Sequence, residues 1–464
     1  MRFFGQLCGL TGAFWTALLA GQVAVADIGL TNINDPEQIK NAASIAAYDM
    51  MSYYDGNKTG QIPGKLPGTW WEGGAMFMAL IQYWYFTGDD SYNDVTNQGM
   101  LWQKGEHNDY LPSNWTQWLG NDDQVFWGLA AMTAAELNFP EQSKEVSWLA
   151  LAQGVFNTQV PRWDTGTCGG GLRWQQNSYQ AGWTTKNAIS NGGLFQLSAR
   201  LARYTNNQTY SDWAEKIWDW TQTTPLMNNK TWTIADTTNV DTQCTDHGDL
   251  QWTYNYGTYI SGAGYMYAVT KGAQKWKDGI DGLLETTFKT FFPQQYGGNI
   301  MSEVACEPNM KCDRNQDCFK GFLSGWLAFL TTVAPYTKDE IIPKLQASAL
   351  AAAKQCSGGS DGKHCGRRWF QSTFDGTQSL ETQMSATSLF SVQLITQKNQ
   401  APLTSDTGGK SKSDPNAGLD DSQAPTGNGL GIKITTGDRA GAGILTALFV
   451  TGWVGMMTWM IRGG

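Results

Sequence analysis

Between residues 36 and 397 the chain alternates two kinds of helical segment, and that alternation limits what it can fold into more than any other feature. Apolar spacing and turn-rich gaps place about twelve segments, at roughly 36–54, 72–87, 89–104, 122–138, 142–158, 183–204, 208–223, 254–271, 273–291, 319–334, 338–356 and 377–397. The even-numbered ones carry small residues and few charges, as in Glu72-Gly73-Gly74-Ala75, Gly192-Gly193-Leu194 and Gly321-Phe322-Leu323-Ser324-Gly325. Glycine in a helix interior costs about 1 kcal/mol relative to alanine, so its recurrence implies backbones in close approach and helices buried on both sides. The odd-numbered ones are amphipathic, as in Tyr210 to Trp218, and predict an outer layer with one wet face. A buried and an exposed helix alternating six times, in units of roughly 50 to 65 residues, predicts an all-α toroid of six inner and six outer helices. An open superhelical array is the competing arrangement. Strand evidence is thin, apart from the short stretch Lys230 to Ala235.

In a closed ring the starts of the inner helices line one mouth. The fourth segment starts there with Asn121-Asp122-Asp123-Gln124. Two readings of the acid pair stand side by side. Short acids suit a helix start as caps, because a side-chain oxygen accepts from an orphan amide and negative charge suits that end of the helix dipole. The same pair, crowded by Trp115, Trp118, Phe126 and Trp127, also has what a sugar site needs. Glycosidases use two carboxyls, one protonated to donate and one ionised to attack or to activate water. Neighbouring side chains diverge by roughly 100° on a helix, so both can face one cleft only at its end. Like charges that close raise one pKa and keep that carboxyl protonated.

Asp122 and Asp123 are therefore the catalytic candidates. Trp71, Trp127, Trp174, Asn187, Asn191, Tyr254 and Asn255 are the substrate-binding candidates, as aromatic faces and amides beside the starts of inner segments. The glycines of Cys168 to Trp174 either let backbone approach a ligand or form an ordinary turn. A different hydrolase or lyase would need Asp241, Asp246, Asp249 or Glu381 converging in the cleft instead.

Only 16% of the residues are charged and the net charge is −9, with no basic patch to neutralise phosphates, so nucleic acid is not an expected partner. His107, His247 and His364 lack metal-ligand spacing, and neither a metal nor another cofactor is expected. Residues 1–26, a basic start, an apolar run and Ala24-Val25-Ala26, read as a secretory signal peptide, with an uncleaved anchor as the competing reading. Residues 27–400 form the predicted helical domain, expected to act as a monomer. Residues 401–429 turn to Ser, Thr, Asp, Gly and Pro and predict a disordered stalk. Residues 430–464, a polar spacer and an apolar tail from Ile444 to Ile461, read as a GPI-anchor signal with attachment at Gly427, or at Asn428 or Ala417. A tail-anchored transmembrane helix competes with that reading. Once Cys8 leaves with the signal, Cys168, Cys244, Cys306, Cys312, Cys318, Cys356 and Cys365 suit three disulfides and one free thiol. Asn57, Asn114, Asn207 and Asn229 stand in N-glycosylation sequons.

Asn121-Asp122-Asp123-Gln124, Cys168 to Trp174, Lys186 to Gly192 and Tyr254-Asn255-Tyr256-Gly257 together resemble glycoside hydrolase family 76, the endo-α-1,6-mannanases, over about residues 30 to 400. The GPI-anchored fungal branch required for cell-wall synthesis fits both chain ends. The resemblance implies an (α/α)6 barrel, retention of anomeric configuration, Asp122 as nucleophile and Asp123 as acid/base. It also implies hydrolysis of internal α-1,6-mannosidic bonds of mannan. For the anchored branch it implies an alternative outcome: cutting the mannose core of a GPI glycan and transferring the attached protein to wall β-glucan, at the outer leaflet of the plasma membrane. A non-catalytic wall lectin using the same mouth is the reading from another class.

Overall fold

The structure is a computed structural model that describes residues 28–419 and 436–462. Twelve helices build the barrel: α1 (Pro36–Met51), α2 (Trp71–Thr87), α3 (Asn93–Trp102), α4 (Asn121–Glu136), α5 (Trp148–Gln159), α6 (Ala188–Thr205), α7 (Gln208–Gln222), α8 (Thr253–Val269), α9 (Gln274–Phe291), α10 (Gln316–Val333), α11 (Lys338–Ala353) and α12 (Leu380–Ser391). The even-numbered helices pack each on the next, and α12 returns to α2, so the ring is closed. The odd-numbered helices lie outside it. This is the all-α, six-plus-six barrel that the alternation predicts.

Small residues close the ring, as their recurrence implies. A side chain on Gly74 would meet the Trp127 ring of α4 at 2.9 Å, and one on Gly321 would meet the Ser385 backbone of α12 at 2.8 Å. Within α4 every residue is buried except Asp122 and Asp123. The far end of the ring is tied by a buried ion pair, Arg200 Nη2 to Glu136 Oε2 at 2.7 Å, which Tyr265 Oη joins at 3.1 Å.

The outer layer departs from expectation at α5, where all twelve residues are buried. Residues 401–419, expected to be the start of a disordered stalk, cover it as an ordered strap. Leu403 donates its amide to Glu136 O at 2.9 Å, Ser411 Oγ accepts from Leu149 N at 2.8 Å, and Asn157 Nδ2 donates to Pro415 O and Ala417 O at 2.8 and 2.9 Å. Polar side chains of the helix thus satisfy the backbone of a segment too poor in apolar residues to fold alone.

Two short antiparallel pairs complete the domain: β1 (Thr185–Asn187) with β2 (Thr237–Asn239), and β3 (Cys356–Gly358) with β4 (His364–Cys365). The stretch Lys230 to Ala235, the one expected strand, contributes only an isolated bridge between Ile234 and Met227. Strand pairing instead takes residues 185–187, which delays the start of α6. Three disulfides form, Cys168–Cys244, Cys306–Cys312 and Cys356–Cys365, and Cys318 is the buried free thiol. A further helix, Thr436–Ile461, has exposed side chains wherever they are described. Among the described residues no helix is long and apolar enough to cross a membrane. The signal segment 1–26 and Gly427 lie outside the described residues.

Candidate active site

Asn121 fixes where the acid pair points. Its four polar groups are all engaged: N–H to Trp174 O at 2.8 Å, Nδ2 to Arg173 O at 2.8 Å, Oδ1 from Arg162 Nε at 2.8 Å and O from Gln159 Nε2 at 2.7 Å. The first residue of α4 is thereby stitched to the loop that precedes α6. Gly120 supplies the sharp entry. A side chain there would meet Asp122 Oδ1 at 2.2 Å and Asp123 Oδ2 at 3.2 Å. One oxygen of each carboxyl is therefore held against the Gly120 backbone at the helix start.

Each acid gives one oxygen to the backbone. Asp123 Oδ2 accepts from Gly120 N at 2.6 Å as half of a capping box, and Asp122 Oδ1 accepts from Asp123 N at 3.0 Å. The capping reading is thus correct as far as it goes. The other two oxygens do not cap: Asp122 Oδ2 accepts from Asn187 Nδ2 at 3.3 Å, and Asp123 Oδ1 has no protein donor among the described residues. Burial pushes both carboxyls up, Asp123 to about 6 and Asp122 well above the ordinary range, where the charge of Asp123 adds to burial. The pair consequently titrates as a unit that holds one proton near neutral pH.

Loops and two further helix starts bring more acids to this end of the ring. Tyr254, at the start of α8, lies in the field of Asp122, Asp236 and Glu303 and stacks on Phe319 with ring centroids 3.7 Å apart. Asn255 donates Nδ2 to Asp236 Oδ1 at 2.8 Å, and burial raises Asp236. Glu303 accepts from Thr253 N at 3.1 Å and is pushed up to about 8 by burial. Across the ring, Glu72 of α2 and Glu381 of α12 share one guanidinium, with Arg314 Nη2 2.8 Å from Glu72 Oε2 and Nε 2.5 Å from Glu381 Oε1. Burial and the charge of Glu381 raise Glu72 to about 9. Cys318 is pushed far up by burial and then by Glu72 and Glu381, so it stays a thiol and is no nucleophile.

The structure sorts the sequence-derived binding candidates. Asn187, Tyr254, Trp71 and Trp174 stand at the mouth: Asn187 on Asp122, Tyr254 beside it, Trp71 against Phe126 at 4.8 Å, and Trp174 exposed next to Asn121. Trp127 does not; it is fully buried between α2 and α4, packed on Trp70, Tyr110 and Gly74. Asn191 is buried as well, holding Leu172 N and O and Asn187 O at 2.7 to 3.0 Å. Asn255 is buried behind Asp236 and orients that acid. These three amide and indole groups serve packing, which a sequence pattern does not distinguish from ligand contact.

In the Cys168 to Trp174 loop, Gly170 and Gly171 make room for the Trp163 and Trp220 side chains, whereas Gly169 faces open space. A Cβ on Gly171, at φ 96°, would lie 2.2 Å from the Trp220 ring. Lys186, its ammonium buried, donates to Thr167 O at 2.9 Å and Gly170 O at 2.5 Å and locks the loop beside α6. Asp241, Asp246 and Asp249 are exposed and do not join the mouth, while Glu381 does so only as Arg314's partner. A cleft of about 650 Å³ between Gln222 and Gln251 includes neither acid of the pair. Asn57, Asn114, Asn207 and Asn229 are all exposed.

Residues 38–406 match the family model described as glycosyl hydrolase family 76. A relative from Saccharomyces cerevisiae named mannan endo-1,6-alpha-mannosidase DCW1 is 40% identical over 460 residues, spanning 98% of this chain and 99% of its own. The crystal structure of Dfg5 from Chaetomium thermophilum in complex with glucosamine superposes with a TM-score of 0.80 at 44% identity, over 84% of this chain and 97% of that one. An inactive variant of the α-1,6-mannanase GH76A of Salegentibacter sp. HEL1_6, in complex with α-1,6-mannotriose, shares the fold at a TM-score of 0.60 and 18% identity, over 77% of this chain and 99% of that one. With a closed six-plus-six barrel, a proton-sharing acid pair at its mouth and a family match over most of its length, the chain is a glycoside hydrolase and belongs to glycosyl hydrolase family 76.

Proposed function

We propose that the chain is a mannan endo-1,6-α-mannosidase that cleaves internal α-1,6-mannosidic bonds with retention and acts in fungal cell-wall biogenesis. The observation that carries this reading is the acid pair: two adjacent carboxyls at the start of α4, each with one oxygen left free of the backbone, raised by burial and, for Asp122, by the charge of Asp123, at the only two positions of α4 that are not fully buried. The names of the full-length relatives support the substrate. Asp122 is assigned as nucleophile, since donors hold both of its oxygens and favour its anion, and Asp123 as acid/base, since its Oδ1 is left for the leaving oxygen. Attack at the anomeric carbon breaks the glycosidic bond as Asp123 protonates the leaving group, and the deprotonated Asp123 then activates the incoming hydroxyl. Asn187, Tyr254, Trp71 and Trp174 are assigned to the sugar.

One observation favours the reversed roles: in the free site Asp122 holds its proton to higher pH than Asp123. Trapping the intermediate with a 2-fluoro-mannoside and locating the mannosylated aspartate by mass decides the order. A second choice is the acceptor. Residues 27–419 are incubated with α-1,6-mannan oligosaccharide or with a GPI core glycan, with and without β-glucan. Shortened mannan with retained configuration supports hydrolysis, and a mass increment on β-glucan makes the chain a transglycosidase. Asp122→Asn and Asp123→Asn variants with undiminished turnover would overturn the site, and wild-type binding without turnover would make the protein a mannan-binding wall protein. The signal peptide, the glycans on Asn57, Asn114, Asn207 and Asn229, and the GPI anchor at Gly427 belong to the same proposal, as parts of a surface enzyme.

A further inference from the structure

Away from the mouth, a second polar cluster takes no part in the proposed reaction. Asp49, in the last turn of α1, is 1% exposed, yet its Oδ2 accepts no hydrogen bond. The β3–β4 hairpin faces it. His364 Nδ1 lies 3.6 Å from that oxygen and 3.2 Å from Asp361 Oδ1, and one donor atom from each of the three residues falls within 4.8 Å of the others. The three residues line a hollow of about 400 Å³ together with Tyr53 and Gln378.

A buried carboxylate oxygen without a donor is costly, and a second carboxylate beside it adds repulsion. A cation removes both penalties at once. The donor set selects its kind: Ca²⁺ and Mg²⁺ take oxygen ligands, whereas one imidazole nitrogen with two carboxylate oxygens suits a borderline ion. Zinc bonds of about 2.0–2.2 Å set tetrahedral ligand atoms about 3.3 Å apart, close to both separations measured at His364. The hollow supplies room for water in the remaining position.

We propose that Asp49, Asp361 and His364 bind a divalent cation of the zinc class at a structural site that ties α1 to the β3–β4 hairpin. The tie runs beside the start of α12, since Gln378 of the hollow lies three residues before Glu381. Residue spacing argued against a histidine-built zinc site. One histidine suffices here, because the carboxylates come from a helix and a hairpin far apart in the chain.

The test uses residues 27–419 without a histidine tag, stripped with a chelator and titrated calorimetrically with ZnCl₂, and in separate arms with MnCl₂ and CaCl₂. The expected result is one equivalent of zinc or manganese, and a melting temperature higher by about 3 °C at a hundredfold excess over Kd. Asp49→Asn and His364→Gln should each weaken binding at least a hundredfold. The second change, at a partly exposed position, covers the case in which the first does not fold. No binding of either ion, equal affinity in His364→Gln, or preference for calcium would each overturn the proposal.

Discussion

Replacing Asp123 by asparagine separates the electrostatics of the acid pair from its chemistry. The folded state raises this carboxyl from 3.8 to about 6. A carboxyl whose folded pKa lies above its unfolded pKa binds more protons in the folded state between the two values, so stability falls as pH rises through that window. At pH 7 the whole penalty is present, and at pH 3.5 almost none of it is. Two pKa units correspond to about 3 kcal/mol, or about 2 to 3 kcal/mol once partial solvent access is allowed for. Asparagine keeps the bond from Gly120 N through its own oxygen and removes the titration. At roughly 2.1 cal/mol/K per residue over a barrel of about 370 residues, the variant should melt about 3 to 4 °C above its parent at pH 7. The gain should shrink toward zero near pH 3.5, while turnover is lost. Paired melting curves across that range measure it. A variant that melts lower than its parent by the same amount at every pH would mean that Asp123 is an ordinary cap, and would refute the account of a strained, proton-sharing pair.

Turnover needs one ionised and one protonated carboxyl, so kcat/KM on α-1,6-mannan oligosaccharide should fall about tenfold per pH unit below about 6, as the second proton goes on; a profile flat to pH 4.5 would contradict this. Deleting residues 401–419 strips the strap from α5. With the lost hydrogen bonds contributing about 1 kcal/mol each, the shortened chain should lose roughly 4 kcal/mol or more in a denaturant titration; an unchanged midpoint would restore the stalk reading. Gly171→Ala, forced against Trp220 at φ 96°, should cost at least about 3 kcal/mol, whereas Gly169→Ala, at φ 67° with no atom within 4 Å, should cost about 1 kcal/mol. Equal losses at the two positions would show that backbone strain alone, without the indole contact, sets the effect.

The ring was readable because closing it imposes two demands that composition records: small residues where inner helices touch, and few charges along them. The strap was not readable, because the rule for disorder counts only the apolar surface a segment can bury. Residues 401–419 stay poor in such surface and order instead by supplying hydrogen bonds to α5. The trace of this lies in the partner. Trp148 to Gln159 holds no charged residue, so an outer helix of this composition has no wet face and requires a cover. Strands β1 and β2 left even less trace, since three residues on each side carry no alternation long enough to read.

At the mouth, the acid pair could be found because its two members are adjacent and capped by a helix start, a local pattern. Its surroundings could not, because they come from separate parts of the chain, two acids from inner helices and two from loops. Glu72, Asp236, Glu303 and Glu381 gather near one end of the ring only after it closes, and of the four only Glu381 stands out in sequence as a cleft acid. Aromatic neighbours misled for the matching reason. Trp127 follows Phe126 by one position, a step of about 100° that turns it from the mouth into the seam with α2. The glycine pair Gly73-Gly74 on the facing helix was its signal. The ring of acids also bears on the chemistry. Burial pushes Glu72 up to about 9 and Glu303 up to about 8, and Arg314 pairs with both Glu72 and Glu381. None of these acids is among the charges that shift the pair, so they add little negative field there beyond what Asp123 exerts on Asp122. The proton that Asp122 and Asp123 share is therefore set by their own adjacency and burial, and changes at Glu72 or Glu303 should leave unshifted the pH at which kcat/KM falls.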